Sequence, residues 1–174
     1  VLATLSPAQI AGLEHKLAEA NAKYAEEHHL DDERKRRRKQ IRQMKKRFED
    51  WLGDLDEAQE ARIERFVLTH DSLAALRLED RVRRQRAGVA LIRNERNPAV
   101  LAPRLAELFA RPEAWRSPEY KTAVARYETD LAALVVDTDR SATPDQRARA
   151  VTRIEGYAAD FQILAGQNAL AKAP

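Results

Sequence analysis

The chain has 174 residues, 44% hydrophobic and 34% charged, with 31 Lys and Arg against 28 Asp and Glu. That length suits one domain and that apolar share supports a core, which argues against wholesale disorder. The lack of cysteine excludes disulfides, thiolate catalysis and Cys-ligated zinc, and no apolar run approaches the ~20 residues of a membrane-spanning helix.

Helix starts punctuate the sequence. Val1 opens it without a basic-then-apolar signal segment, and Leu2, Ala3 and Leu5 read as the tail of an earlier helix. Either the start has been processed away or the sequence is a fragment of a larger chain, and that helix tail favours the fragment. Ser6-Pro7, Asn97-Pro98, Ser117-Pro118 and Thr143-Pro144 each place a capping oxygen before a proline at the first helical position. A phrase with glutamine three residues after the cap recurs at Ser6–Gln9, Asp56–Gln59 and Thr143–Gln146, the pattern of a capping box. Its spacings are unequal, so it reads as shared punctuation and not as a structural repeat.

These signals predict helices over 6–29, 31–53, 56–69, 71–94, 97–111, 117–137 and 143–166, with a frayed tail at 167–174. Apolar intervals of three, four and seven mark the core-facing stripes. They are Ile10, Leu13, Leu17 and Tyr24 in the first helix, and Ile41, Met44, Phe48, Trp51 and Leu52 in the second. Val82, Val89 and Ile92 serve the fourth, and Leu101, Leu105 and Leu108 the fifth. Tyr120, Val124, Tyr127, Leu131 and Leu134 serve the sixth; Val151, Ile154, Phe161 and Leu164 serve the last. Gly53 is placed to stop the second helix. With short links throughout, the expectation is a single all-α domain over 1–174, an elongated antiparallel bundle of about seven helices.

Charge comes in blocks. Residues 34–47 carry ten basic side chains and no acid, between acidic stretches at 1–33 and 48–70 that each net −5. Two readings compete for this basic helix. It could dock an anionic partner, either an acidic protein or lipid head groups. Alternatively it could neutralise itself internally, Glu26 and Glu27 of the first helix meeting 34–38 and the acids of the third helix meeting the C-terminal half. No aromatic residue interrupts 33–47, which argues against single-stranded nucleic acid.

Other constellations read as structural. His15, His28, His29 and His70 are scattered, and although His15 and Glu19 share a helix face, no ligand set accompanies them. Trp51, Trp115, Tyr120 and Tyr157 could line a groove, but Trp51 and Tyr120 continue core stripes and Trp115 sits where it can staple a helix start. Neither a nucleophile–base pair nor a phosphate-cradling glycine loop is present. No cofactor, metal or enzymatic activity is expected.

The segment Trp51-Leu52-Gly53-Asp54-Leu55-Asp56-Glu57-Ala58-Gln59 resembles the W-[LI]-G-x-L-[ST]-x-x-Q signature of a family of bacterial lipoproteins of unknown function. Leu5-Ser6-Pro7-Ala8-Gln9, the Arg-rich run and Arg116-Ser117-Pro118-Glu119-Tyr120 match that family's other motifs in order, over nearly the whole chain. Asp56 stands where Ser or Thr is usual and remains a competent cap. The resemblance implies a periplasmic, lipid-anchored location with the anchor outside this sequence; it implies no activity. The helix-start phrases are also similar, more faintly, to those of Spy-like periplasmic chaperones.

The reading is thus a non-enzymatic interaction module. Arg36, Arg37, Lys39, Lys46 and Arg47 are its candidate docking face for a protein or an anionic surface. An ATP-independent chaperone and a nucleic-acid-binding protein are the alternatives.

Overall fold

Capping oxygens and prolines open the helices where the sequence puts them. The computed structural model describes residues 2–170, with side chains throughout except at 112 and 166–170. Its helices are α1 (Pro7–Glu27), α2 (Glu33–Leu52), α3 (Glu57–Thr69), α4 (Leu73–Asn94), α5 (Pro98–Ala110), α6 (Pro118–Ser141) and α7 (Pro144–Leu170). Short 3-10 turns lie at Leu2–Thr4 and Pro112–Trp115, and there is no strand among the described residues. The protein is all-α. Of the tail expected at 167–174, residues 171–174 lie outside the described residues.

All three glutamine phrases form reciprocal capping boxes. Gln9 donates its backbone N–H to Ser6 Oγ (3.2 Å) and accepts from the Ser6 N–H at its own Oε1 (2.8 Å). The same pair of bonds links Asp56 to Gln59 and Thr143 to Gln146. Gly53 takes the left-handed conformation (φ 79°) just beyond α2, as a C-terminal stop requires.

The chain, read above as one domain, divides into two compact units: Val1–Arg38 with His70–Thr129, and Lys39–Thr69 with Asp130–Pro174. The boundaries fall inside α2, between α3 and α4, and inside α6.

In the first unit α1 lies antiparallel to α4. Glu14 accepts from Arg93 (2.8 Å), Asn21 donates to Gln85 (2.7 Å), and the Tyr24 hydroxyl reaches the Ala74 carbonyl (3.5 Å). Ala3, Ile10, Val89, Ile92, Leu101, Leu105 and Leu108 form the buried core of this unit. Trp115 packs against that core from the turn before α6, as its position ahead of a helix cap suggested.

In the second unit Met44, Ile63, Phe66, Val67 and Leu134 are buried. Gln59 and Gln146 are buried with them and hydrogen bond to each other through their side-chain amides. Two expected core assignments fail here. Trp51 is 39% exposed, and the last helix's stripe of Val151, Ile154, Phe161 and Leu164 is between 52% and 68% exposed. Periodicity establishes that a helix has an apolar side; it does not supply a neighbour to cover it.

Candidate interaction surfaces

The basic helix divides by role along its length. In the first unit Arg36 is 13% exposed and grips Asp71 with two bonds, Nε to Oδ1 (2.8 Å) and Nη2 to Oδ2 (2.9 Å). Its remaining Nη1 faces the carbonyls of Leu30 (3.4 Å) and His29 (3.5 Å). Arg37 donates to the same Asp71 (3.0 Å) and pairs with Glu33 one turn earlier. Asp71 therefore lies between two guanidiniums in the turn before α4. The hydrogen bond from Arg36, joined by that from Arg37, holds its carboxyl below the usual range against the opposing effect of burial.

In the second unit Lys45 joins Glu60 (2.6 Å) and Glu64 (2.7 Å), successive turns of α3. These hydrogen bonds raise the lysine's pKa. Internal neutralisation by the third helix is thus realised at Lys45. For 34–38 the acid that takes Arg36 and Arg37 is Asp71, a residue remote in sequence, in place of the Glu26 and Glu27 that a simple hairpin would have offered.

Of the five candidate docking residues, Arg36 and Arg37 are engaged in this intramolecular cluster. Lys39 is half-buried and has interactions of its own. Lys46 is 73% exposed and lies 3.7 Å from Asp50 along its own helix. Arg47 is exposed, as is Arg42, and neither has an ion-pair partner among the described residues. The basic side chains of this half that point to solvent are therefore Arg42, Lys46 and Arg47, of which Arg42 belongs to the basic run but not to the five candidates.

Beside it in the chain, Trp51 forms an aromatic and cationic cluster with α7. Arg153 lies over the rings of Trp51 (5.2 Å) and Tyr157 (5.7 Å), and donates to the Asp50 carbonyl (2.6 Å). The two rings are 5.8 Å apart. Arg149 crosses Gly53 so closely that a Cβ there would meet its Nη1 at 2.9 Å. These contacts fasten the first turns of α7 to the end of α2. Beyond them every residue from 151 to 165 is exposed. Val151, Ile154, Phe161 and Leu164 form an uncovered apolar stripe on that stretch.

The Arg116–Tyr120 motif has a structural task in the first unit. Asp80, 2% exposed on α4, accepts from the Ser117 backbone N–H (3.0 Å), Arg83 (2.7 Å) and Arg84 (3.0 Å). Burial pushes this carboxyl up; the bonds from Arg83, Ser117 and Arg84 together outweigh it and leave the pKa lowered. Ser117 in turn caps the Tyr120 N–H (3.1 Å), and Arg77 donates to the Tyr120 hydroxyl (3.2 Å). Asp71 and Asp80 are the residues that sequence reasoning missed. Asp80's only signal is a carboxylate in an arginine-rich stretch, which says nothing about burial, and Asp71 stands in a stretch without arginine.

Among the described residues no group of three or more His, Cys, Asp or Glu could hold a metal ion, and no helix is long and apolar enough to cross a membrane. Fold and surface together define an all-helical protein that keeps one apolar and one cationic face in solvent. Residues 1–121 match DUF6279, a family of unknown function, and the chain belongs to it. The match ends in the first turn of α6; it shows a family of unknown function and does not bear on the lipoprotein or Spy-like resemblance. No curated protein and no solved structure matches the sequence.

Proposed function

We propose that the protein is a non-enzymatic interaction module that binds a partner protein through α7, with Arg42, Lys46 and Arg47 of α2 drawing in acidic surfaces. The carrying observation is the apolar stripe of Val151, Ile154, Phe161 and Leu164, held in solvent on a helix anchored at its start. Contiguous exposed apolar surface of this kind marks interaction sites, and an amphipathic helix offers anchors at i, i+3 and i+7 to a receiving groove. Exposed cations speed encounter with acidic partners. The likeness to bacterial lipoproteins supports placing this module in the cell envelope, carried by an N-terminal lipid anchor.

Pull-down from envelope extract compares the wild type with Ile154→Asp/Phe161→Asp and with Arg42→Glu/Lys46→Glu/Arg47→Glu. A partner identified with the wild type is expected to be lost with the first variant and weakened with the second, both retaining full helicity. Equal capture by all three proteins would eliminate the reading.

The same stripe, together with exposed cations, also favours an ATP-independent chaperone of the Spy-like kind, which holds unfolded clients by charge and apolar contact. Suppression of the aggregation of a chemically unfolded protein by the wild type, but not by Ile154→Asp/Phe161→Asp, would distinguish this from a specific partner.

A further inference from the structure

The first unit contains a cavity of about 510 Å³ between α1, α4 and α5. Its walls are apolar, with Leu13 and Leu17 from α1, Val89 and Ile92 from α4, and Leu105 and Leu108 from α5. Phe109 stands at its edge 76% exposed, an aromatic ring that the core does not use. Gly88 keeps α4 close to α5 there, since an added Cβ would meet Leu108 Cδ2 at 3.2 Å. The volume falls within the range of about 300–1,000 Å³ typical of small-molecule sites.

The polar residues of the lining are confined to one end and carry one sign. Arg81, Arg84 and Gln85 line the cavity from one stretch of α4, and no acidic side chain joins them. Arg84 spends its Nε on Asp80, and among the described residues its Nη groups make no hydrogen bond. Arg81 lies over the Tyr24 ring (5.9 Å) and has no ion-pair partner among the described residues. Asp80 already serves both Arg83 and Arg84, and its neighbour Glu79 is exposed and does not line the cavity, so positive charge at this end exceeds negative. From residue 81 to residue 92 the helix advances about 16 Å, so the cavity runs lengthwise from a cationic end to an apolar one.

We propose that this cavity binds a medium-chain fatty acid, its carboxylate on Arg81 and Arg84 and its hydrocarbon chain along α4 towards Ile92. A guanidinium matches a carboxylate in shape and charge, and its bond gains strength where apolar walls exclude water. An apolar cavity with cations at one end fits a hydrocarbon chain with one anionic head. This site lies in the first unit, so it is independent of the α7 stripe in the second.

The test is calorimetric titration of the purified protein with laurate and with dodecanol, both below their aggregation thresholds. The wild type is expected to take up one laurate per chain and to bind dodecanol at least about tenfold more weakly. Arg81→Gln, an exchange outside any ion pair, should weaken laurate towards the level of dodecanol and leave dodecanol unchanged. Leu17→Trp should block both ligands by filling the cavity, and Leu13→Trp supplies a second blocking variant should the first lose its helicity. Absence of stoichiometric laurate uptake, equal affinity for the acid and the alcohol, or undiminished uptake by folded blocking variants would each overturn the proposal.

Discussion

Gln59 and Gln146 hydrogen bond to each other across 87 positions of sequence, Nε2 of each donating to Oε1 of the other at 3.0 and 3.1 Å. Each glutamine also accepts from the N–H of its own helix cap, and Gln146 donates to the Asp54 carbonyl (2.7 Å). The starts of α3 and α7 are thereby tied through a buried polar pair in which every side-chain nitrogen and oxygen has a partner. Replacing one partner strands the other's amide and removes a capping bond. Gln146→Ala is expected to cost about 2–3 kcal/mol, summed from an unsatisfied buried polar group and a weakened cap. Chemical denaturation of Gln59→Ala, Gln146→Ala and the double variant measures this, and the double should cost less than the sum of the singles.

The Arg36–Asp71 pair makes a different claim, on pH. Asp71 has its carboxyl lowered in the folded protein, by Arg36 first and then Arg37, while the unfolded chain returns it to about 3.9. The folded state thus binds fewer protons in that window, so the contribution is full above the unfolded value and is lost as pH falls through the lower folded value. Asp80 has the same sign. Stability should hold down to about pH 5 and then fall. Asp71→Asn should be less stable at neutral pH by about 3 kcal/mol, because it leaves buried Arg36 without its counter-charge, and its loss on acidification should be shallower. Denaturation curves at a series of pH values check both statements.

Two glycines should respond in opposite directions to alanine. Gly12 sits in α1, where an added Cβ would meet nothing within 4 Å, so Gly12→Ala should stabilise by about 0.5–1 kcal/mol through helix propensity. At Gly53 the backbone has φ 79° and an added Cβ would lie 3.2 Å from Arg149 Cδ, so Gly53→Ala should destabilise by about 1–2 kcal/mol. Thermal melts of the two variants make the comparison.

Isoleucines on helical stripes should likewise divide. Ile63 is fully buried and Ile154 is 57% exposed. Ile63→Ala is expected to cost about 2–5 kcal/mol, and Ile154→Ala to stay within about 0.5 kcal/mol of the wild type. A comparable loss at Ile154 would mean that a neighbour covers α7 in solution, and sedimentation of the wild type would then show an oligomer.

Local signals were legible because they act over three or four residues. Ser6, Asp56, Asn97, Ser117 and Thr143 announced helix starts through a capping oxygen and the residues just after it, and Gly53 announced a stop. Leu101, Leu105 and Leu108 marked a core face by spacing alone. The acid that neutralises Arg36, the partner of Gln59 and the ligand-sized space beside Leu17 were not legible. Each depends on which helices meet, a choice made by the packing of whole faces. The last helix shows the limit most clearly: its 151–164 stripe has the periodicity of a core surface, and only the folded chain leaves it uncovered. Capping and periodicity are properties of a single helix; burial and charge pairing belong to the neighbours that the tertiary structure provides.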